Sequence, residues 1–218
     1  MAQDIKRGTQ TIQDQTTYVT SKTFAHVNNG ADILLRVLLH GNGVALSGFT
    51  ATYNGVSMTL LGTSSDGTNF NYALMFYLKN ASAGSNNVVV SWTNQGKGSF
   101  LALSLTGVAG YRTANTAGGG GTSVSNSPTT VPGDVVLDAV MYWSSPLTTL
   151  TVGASQTQEK NTQLTDIHVA ASYAKASSSC STTAMTLTLG ATRTWVSIAL
   201  PLYGAEVGGI AVSPLYWI

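Results

Sequence analysis

The chain has 218 residues, 43% of them hydrophobic but only 9% charged, and its ten basic and nine acidic side chains leave a net charge of +1. A typical soluble domain carries about 25% charged residues, so the surface falls to Ser, Thr, Asn, Gln and Gly. Such a surface is poorly guarded against association and lacks the basic footprint of nucleic-acid binding, while the apolar content is enough for a core and excludes disorder.

Short runs of β-branched and aromatic residues cut by Gly, Asn and Ser give the strand-and-turn pattern of sandwiches and barrels. In chain order they predict strands over 5–12, 17–24, 32–40, 49–53, 56–63, 71–78, 86–92 and 99–106. A second set follows over 134–142, 157–160, 166–173, 184–189 and 194–202, and no amphipathic helix is found. Asn54-Gly55 is the clearest hairpin signal, because both residues tolerate the positive φ of a type I′ turn.

The two sets resemble one another. The run opening at Asp32 matches the run opening at Asp134, and the runs at Asn71, Asn87 and Phe100 find counterparts at Ile167, Ala184 and Val196 in the same order. Neither half can bury both of its faces alone, so one shared core is expected. The expected fold is therefore all-β: a two-layer antiparallel β-sandwich, jelly-roll-like, with two pseudo-repeated halves (31–113 and 131–203). Residues 1–30 form N-terminal strands or an arm. The Gly118–Gly121 run makes 114–130 a flexible surface connection. It has no Lys-Ser/Thr and no following helix, so it is not a phosphate loop. Arg36 and Asp138 each interrupt an apolar strand four residues after its opening aspartate and are expected to be equivalent. Either each points to solvent, the simpler reading, or they pair between adjacent strands, since a desolvated charge needs a partner.

Chemistry is hard to assemble. Among the histidines, His26 falls near a turn, His40 closes a strand and His168 is read as facing out; none belongs to a catalytic or metal-spacing motif. The lone Cys180 lies in a polar loop without a basic neighbour to activate it, and it excludes an intrachain disulfide. Asp134 and Asp138 would share one strand face as a carboxylate pair, but Asp134 follows Pro132-Gly133 and reads as a turn residue. Asp66 looks like a fragment of a calcium loop lacking its other oxygen ligands. No catalytic, cofactor-binding or metal residue is expected, and the chain is read as not an enzyme. Trp92 and Trp195 are read as core caps, whereas Tyr111 and Trp143 are the candidate ligand-facing aromatics.

The succession Asp32-Ile-Leu-Leu-Arg-Val-Leu, Tyr53-Asn-Gly-Val-Ser-Met-Thr, Tyr72-Ala-Leu-Met-Phe-Tyr-Leu and Phe100-Leu-Ala-Leu-Ser-Leu-Thr-Gly-Val resembles a β-sandwich module common in phage and environmental bacterial sequences. Gly133-Asp-Val-Val-Leu-Asp-Ala-Val through Ala199-Leu-Pro-Leu also fits, so the resemblance covers roughly residues 30 to 203. Ile5-Lys-Arg-Gly-Thr-Gln-Thr-Ile is similar to starts of bacteriophage structural proteins, a shorter match. The resemblance implies a virion structural protein, a capsid decoration, head fibre or tail appendage, and brings no catalytic residues with it. Self-association and other virion proteins are the expected partners, with a surface glycan as the alternative; no cofactor, nucleic acid or membrane insertion is expected. Met1–Gly8 lacks the apolar h-region of a secretory signal, no apolar stretch reaches the roughly 20 residues of a membrane helix, and assembly into a virion in the host cytoplasm is the expected location. Residues 204–218 are read as an apolar arm for assembly, carried by Ile210, Val212, Pro214, Leu215, Tyr216, Trp217 and Ile218.

Overall fold

The structure is a computed structural model, and it describes residues 4–68, 70–143, 149–177 and 181–204. Cys180 and the arm residues Ile210 to Ile218 lie outside the described residues. Fourteen strands and no helix are found among the described residues. The first seven are β1 (Lys6–Asn28), β2 (Asp32–Gly41), β3 (Thr50–Tyr53), β4 (Val56–Ser57), β5 (Thr59–Ser65), β6 (Asn71–Leu78) and β7 (Gly84–Thr106). The others are β8 (Val108–Tyr111), β9 (Asn115–Asn126), β10 (Val135–Trp143), β11 (Leu150–Val152), β12 (Thr157–Leu164), β13 (Ile167–Lys175) and β14 (Met185–Gly204). They form two antiparallel sheets. One runs β4-β3-β7-β2-β6-β5 with β1 beside β7; the other runs β11-β14-β10-β13-β12 with β8 and β9 beside β14. Asn54 (φ 51°) and Gly55 (φ 77°) take the positive angles expected of the β3–β4 hairpin.

Side-chain alternation decides the packing. Leu34 and Leu38 of β2 and Leu103 and Leu105 of β7 meet Leu137, Ala139 and Met141 of β10 and Ile198, Leu200 and Leu202 of β14 in a central core between the sheets. The opposite face of β2 (Ile33, Leu35, Val37, Leu39) joins Phe24, Tyr53, Phe76, Trp92 and Phe100 in a second core, around which the first sheet curls nearly into a barrel. The second sheet has its own smaller outer core around Val140, Tyr142, Leu187, Leu189 and Trp195. The expected shared core is therefore present, flanked by one private core in the first half and two smaller clusters on the outer face of the second sheet, the other being Val136, Ala174, Met185 and Ala199.

Two expectations need correction. Residues 115–126 are not a flexible connection but the strand β9, paired with β14 through Gly119 opposite Trp195. A Cβ on Gly119 would lie 3.1 Å from the Trp195 ring, so the glycines let this edge strand lie flat on the indole. Arg36 and Asp138 do not occupy equivalent positions. Arg36 lies on the face of β2 that carries Leu34 and Leu38 into the central core, whereas Asp138 lies on the face of β10 opposite Leu137 and Ala139, because neighbouring side chains of a strand point to opposite faces. Neither charge points to solvent, since both side chains are fully buried.

The two outermost strands close the seam between the sheets. Arg7 of β1 pairs with Glu159 of β12, and Lys160 Nζ lies 2.9 Å from Asp14. On the other flank, Ser64 of β5 donates to the Ala117 carbonyl of β9 at 2.9 Å. Along its other edge β1 pairs with nothing among the described residues, leaving 23 residues of open strand.

Candidate functional site

His26 lies near the end of β1, just before the bend at Asn29-Gly30, and is buried. Asn28 Nδ2 donates to the carbonyls of Ala31 and Ala81, so its Oδ1 accepts from Ser104 Oγ at 2.8 Å. Ser104 must then accept from His26 Nε2 at 3.0 Å, and His26 Nδ1 accepts from Thr11 Oγ1 at 2.9 Å. Burial holds its pKa below the usual histidine value. This is a neutral histidine tying strands together. His168 does not face out: it is buried between Tyr142 Oη (2.9 Å) and Asn161 Oδ1 (2.5 Å).

Arg36 crosses the central layer. Its Nη1 donates to Glu159 and to the main-chain carbonyl of Asp138 at 3.2 Å, and Glu159 also binds Arg7. The ion pair of Arg36 is therefore with Glu159, an acid that nothing in the sequence singles out, while Asp138 accepts a hydrogen bond through its backbone carbonyl and acts on Arg36 by its charge without direct contact. Burial brings the Arg36 pKa down to about 9, opposed by the Asp138 charge and assisted by repulsion from Arg7. The Asp138 carboxylate faces the other way and accepts from Ser172 N and Ser172 Oγ, both at 2.7 Å. Asp134, the second member of the expected carboxylate pair, instead holds Arg112 through Nε at 2.6 Å and caps the turn at Val131 N at 2.9 Å.

Burial pushes the Asp138 pKa up to about 6 against the lowering effect of its Ser172 bonds. A buried acid with a raised pKa keeps its proton in the folded state after the unfolded chain has lost it, so stability falls as pH rises from about 4 to 6. Comparison with Asp138→Asn cancels the other carboxylates. The stability of the wild type relative to this variant is expected to fall by about 2–3 kcal/mol between pH 4 and 7 in urea unfolding. A difference that stays constant with pH would show that Asp138 is ionised throughout.

The two candidate aromatics lie on separate surfaces. Tyr111 packs edge-on to Tyr77 with ring centroids 5.3 Å apart. It borders a cavity of about 530 Å³ with Arg112, Asn115, Thr129 and Tyr203. The Arg112 guanidinium lies 5.0 Å over the Tyr203 ring and is already neutralised by Asp134.

Trp143 is 41% exposed at the end of β10. Its indole stacks on the His40 ring, with centroids 5.9 Å apart and planes within 7°. Its Nε1 donates to Asp166 Oδ2 at 3.4 Å, and Asp166 Oδ1 is 2.5 Å from Lys97 Nζ. Lys97 in turn lies 4.7 Å over the Tyr18 ring. Beneath, Asn71 Nδ2 donates to Asp66 at 2.6 Å, leaving Asn71 Oδ1 to accept from His40 Nδ1 at 3.0 Å. Tyr18, His40, Trp143 and Asp166, together with Asn42, Thr68 and Phe70, line a groove of about 320 Å³, with Lys97, Asp66 and Asn71 behind them.

Comparison with known protein families, curated proteins and solved structures found no match. The residues themselves therefore carry the reading. Trp143 was marked in the sequence; Tyr18, His40, Lys97 and Asp166 were not. They come from β1, β2, β7 and the β12–β13 turn, and no linear pattern joins them. The one local sign is the two-residue turn Thr165-Asp166, which holds Thr165 at φ 54°.

Proposed function

We propose that this chain is a non-enzymatic structural component of a bacteriophage particle, a capsid decoration, head fibre or tail appendage. It works by self-association and docking on other virion proteins, and its two sheets descend from one duplicated, jelly-roll-like half. The matching strand orders support the duplication, and the sequence resemblance supports the virion setting. One observation carries the structural role: charge is turned inward. Six ion pairs among the described residues use eleven charged side chains, and in five of them at least one partner is no more than 5% exposed. What faces outward is mostly neutral: on the open edge of β1, Arg7 and Asp14 are tied to β12, which leaves Lys6 and Lys22 as its outward charges. Two lysines along so long an edge are a sparse guard against strand pairing, and a mostly neutral surface offers little repulsion to a neighbour.

The apolar residues from Ile210 to Ile218 are proposed as a second connector, on sequence alone. Light scattering on the full chain between about 1 and 100 μM is expected to give a defined homo-oligomer. Deleting residues 205–218 is expected to lower its mass. A monomer across that range would refute self-association, and an unchanged oligomer after deletion would clear the arm of any part in it. The receptor-binding reading is favoured separately by the Trp143 groove.

A further inference from the structure

We propose that the groove around Trp143 is a binding subsite for a neutral hexopyranose of a surface polysaccharide, with the outer face of the indole as its stacking platform. The proposal deepens the receptor-binding reading and does not depend on self-association.

Four observations converge on it. First, the platform is held rigid before any ligand arrives. His40 backs one indole face, Asp166 fixes the ring N–H, and Asp66 and Asn71 fix His40 from below. A large aromatic pinned in place loses little entropy on binding.

Second, the charged side chain that lines the groove, Asp166, is paired with Lys97, and the Asp66 carboxylate beneath is engaged by Asn71. A phosphate therefore finds no free cation in the lining, and an ammonium ligand finds its nearest anion already paired. A pyranose fits: its C–H face meets the negative face of the indole, and its hydroxyls need a few fixed polar groups. His40 supplies one of them. With its proton on Nδ1, the Nε2 atom is an acceptor that makes no hydrogen bond among the described residues. Burial keeps this ring in the neutral form that can accept. Exposed Asn42 and Thr68 stand at the rim.

Third, the backbone is strained here. Five described non-glycine residues have positive φ; three are asparagines, which tolerate it. The other two are Phe70 (φ 57°) and Thr165 (φ 54°). For bulky or β-branched residues this is a true outlier. Phe70 lines the groove, and Thr165 immediately precedes Asp166. Strain of this kind collects where function over-determines the structure.

Fourth, the groove draws on both halves: Tyr18 and His40 from the first sheet, Trp143 and the β12–β13 turn residue Asp166 from the second half, with Lys97 of β7 behind Asp166. Only the assembled sandwich presents it.

The test uses the full chain and a panel of neutral oligosaccharides built from glucose, galactose, mannose, rhamnose, N-acetylglucosamine and N-acetylgalactosamine. Tryptophan fluorescence and saturation-transfer NMR report binding; choline and sialic acid are the charged controls. At least one neutral glycan is expected to bind with a dissociation constant on the order of millimolar, as one stacking platform allows. Trp143→Ala should weaken it at least tenfold and Trp143→Phe less, while Tyr111→Ala leaves it unchanged. If Trp143→Ala does not fold, Trp143→Phe carries the test: weaker binding at an unchanged melting temperature supports the site. No binding across the panel, binding indifferent to Trp143, or preference for choline or sialic acid would each overturn it. Oligomer mass measured on the same samples tells failure of this site from failure of self-association.

Discussion

Replacing Glu159 with alanine is expected to destabilise the fold by about 3–5 kcal/mol, the usual cost of leaving a buried charge without its partner. The Glu159 side chain is 2% exposed and takes two arginines at once, Arg36 on one oxygen and Arg7 on the other. Arg7 has a second resort: its guanidinium lies 4.0 Å over the Tyr173 ring and is a quarter exposed. Arg36 has none. It is fully buried, and its Nε and Nη2 have no acceptor among the described residues. Without Glu159 it keeps main-chain carbonyls as its hydrogen-bond acceptors and the charge of Asp138, whose carboxylate is turned away toward Ser172, and neither replaces a direct ion pair. Removing the cation as well should therefore rescue much of the loss: the double change Arg36→Met, Glu159→Leu is expected to lie well above Glu159→Ala in urea unfolding at pH 7. A loss below about 1 kcal/mol for Glu159→Ala would mean that Arg36 reaches water and the seam is not closed.

This network shows where sequence reading stops. The strand pattern was legible because β2, β6, β10 and β13 are buried on both faces and read as short, nearly continuous apolar runs bounded by turn residues, and these strands lie within a residue or two of their predicted bounds. Three predicted pairs merged instead: 5–12 with 17–24 into β1, 86–92 with 99–106 into β7, and 184–189 with 194–202 into β14. The polar stretch in each bends without ending the ladder, and β1 shifts register between Gln15 and Ser21. Gly118–Gly121 read as a loop because glycine usually marks one; nothing local says that an indole lies on that strand. Arg36 and Asp138 stood out as charges in apolar strands, but their true partners, Glu159 and Ser172, are set by how one sheet lies on the other. The same holds for the groove: Trp143 could be seen, while the histidine that backs it is about a hundred positions away.

Gly98→Ala is expected to cost at least about 3 kcal/mol, the upper range for overpacking, because no flexible group can yield. Gly98 is buried in β7 where that strand is flanked on both sides, by Leu39 of β2 and Gln15 of β1. An added Cβ would run into the Leu38 carbonyl oxygen and lie 2.8 Å from its carbon and 3.0 Å from Leu39 Cα. All three atoms are backbone, inside a ladder that cannot shift without breaking β2–β7 pairing. Gly96 provides the control. There the closest atom to an added Cβ is Leu46 Cδ1, at 2.8 Å, the tip of a side chain that can turn aside. Gly96→Ala should accordingly cost clearly less than Gly98→Ala, although both change one hydrogen for a methyl group. The larger shift also reaches the groove: Lys97 precedes Gly98 and holds Asp166 and, through it, the Trp143 indole. Chemical denaturation of the two variants, with Trp143 fluorescence as a local reporter, reads both effects. Equal costs at the two glycines would mean that β2 and β7 are less tightly apposed at Leu38 than these distances state.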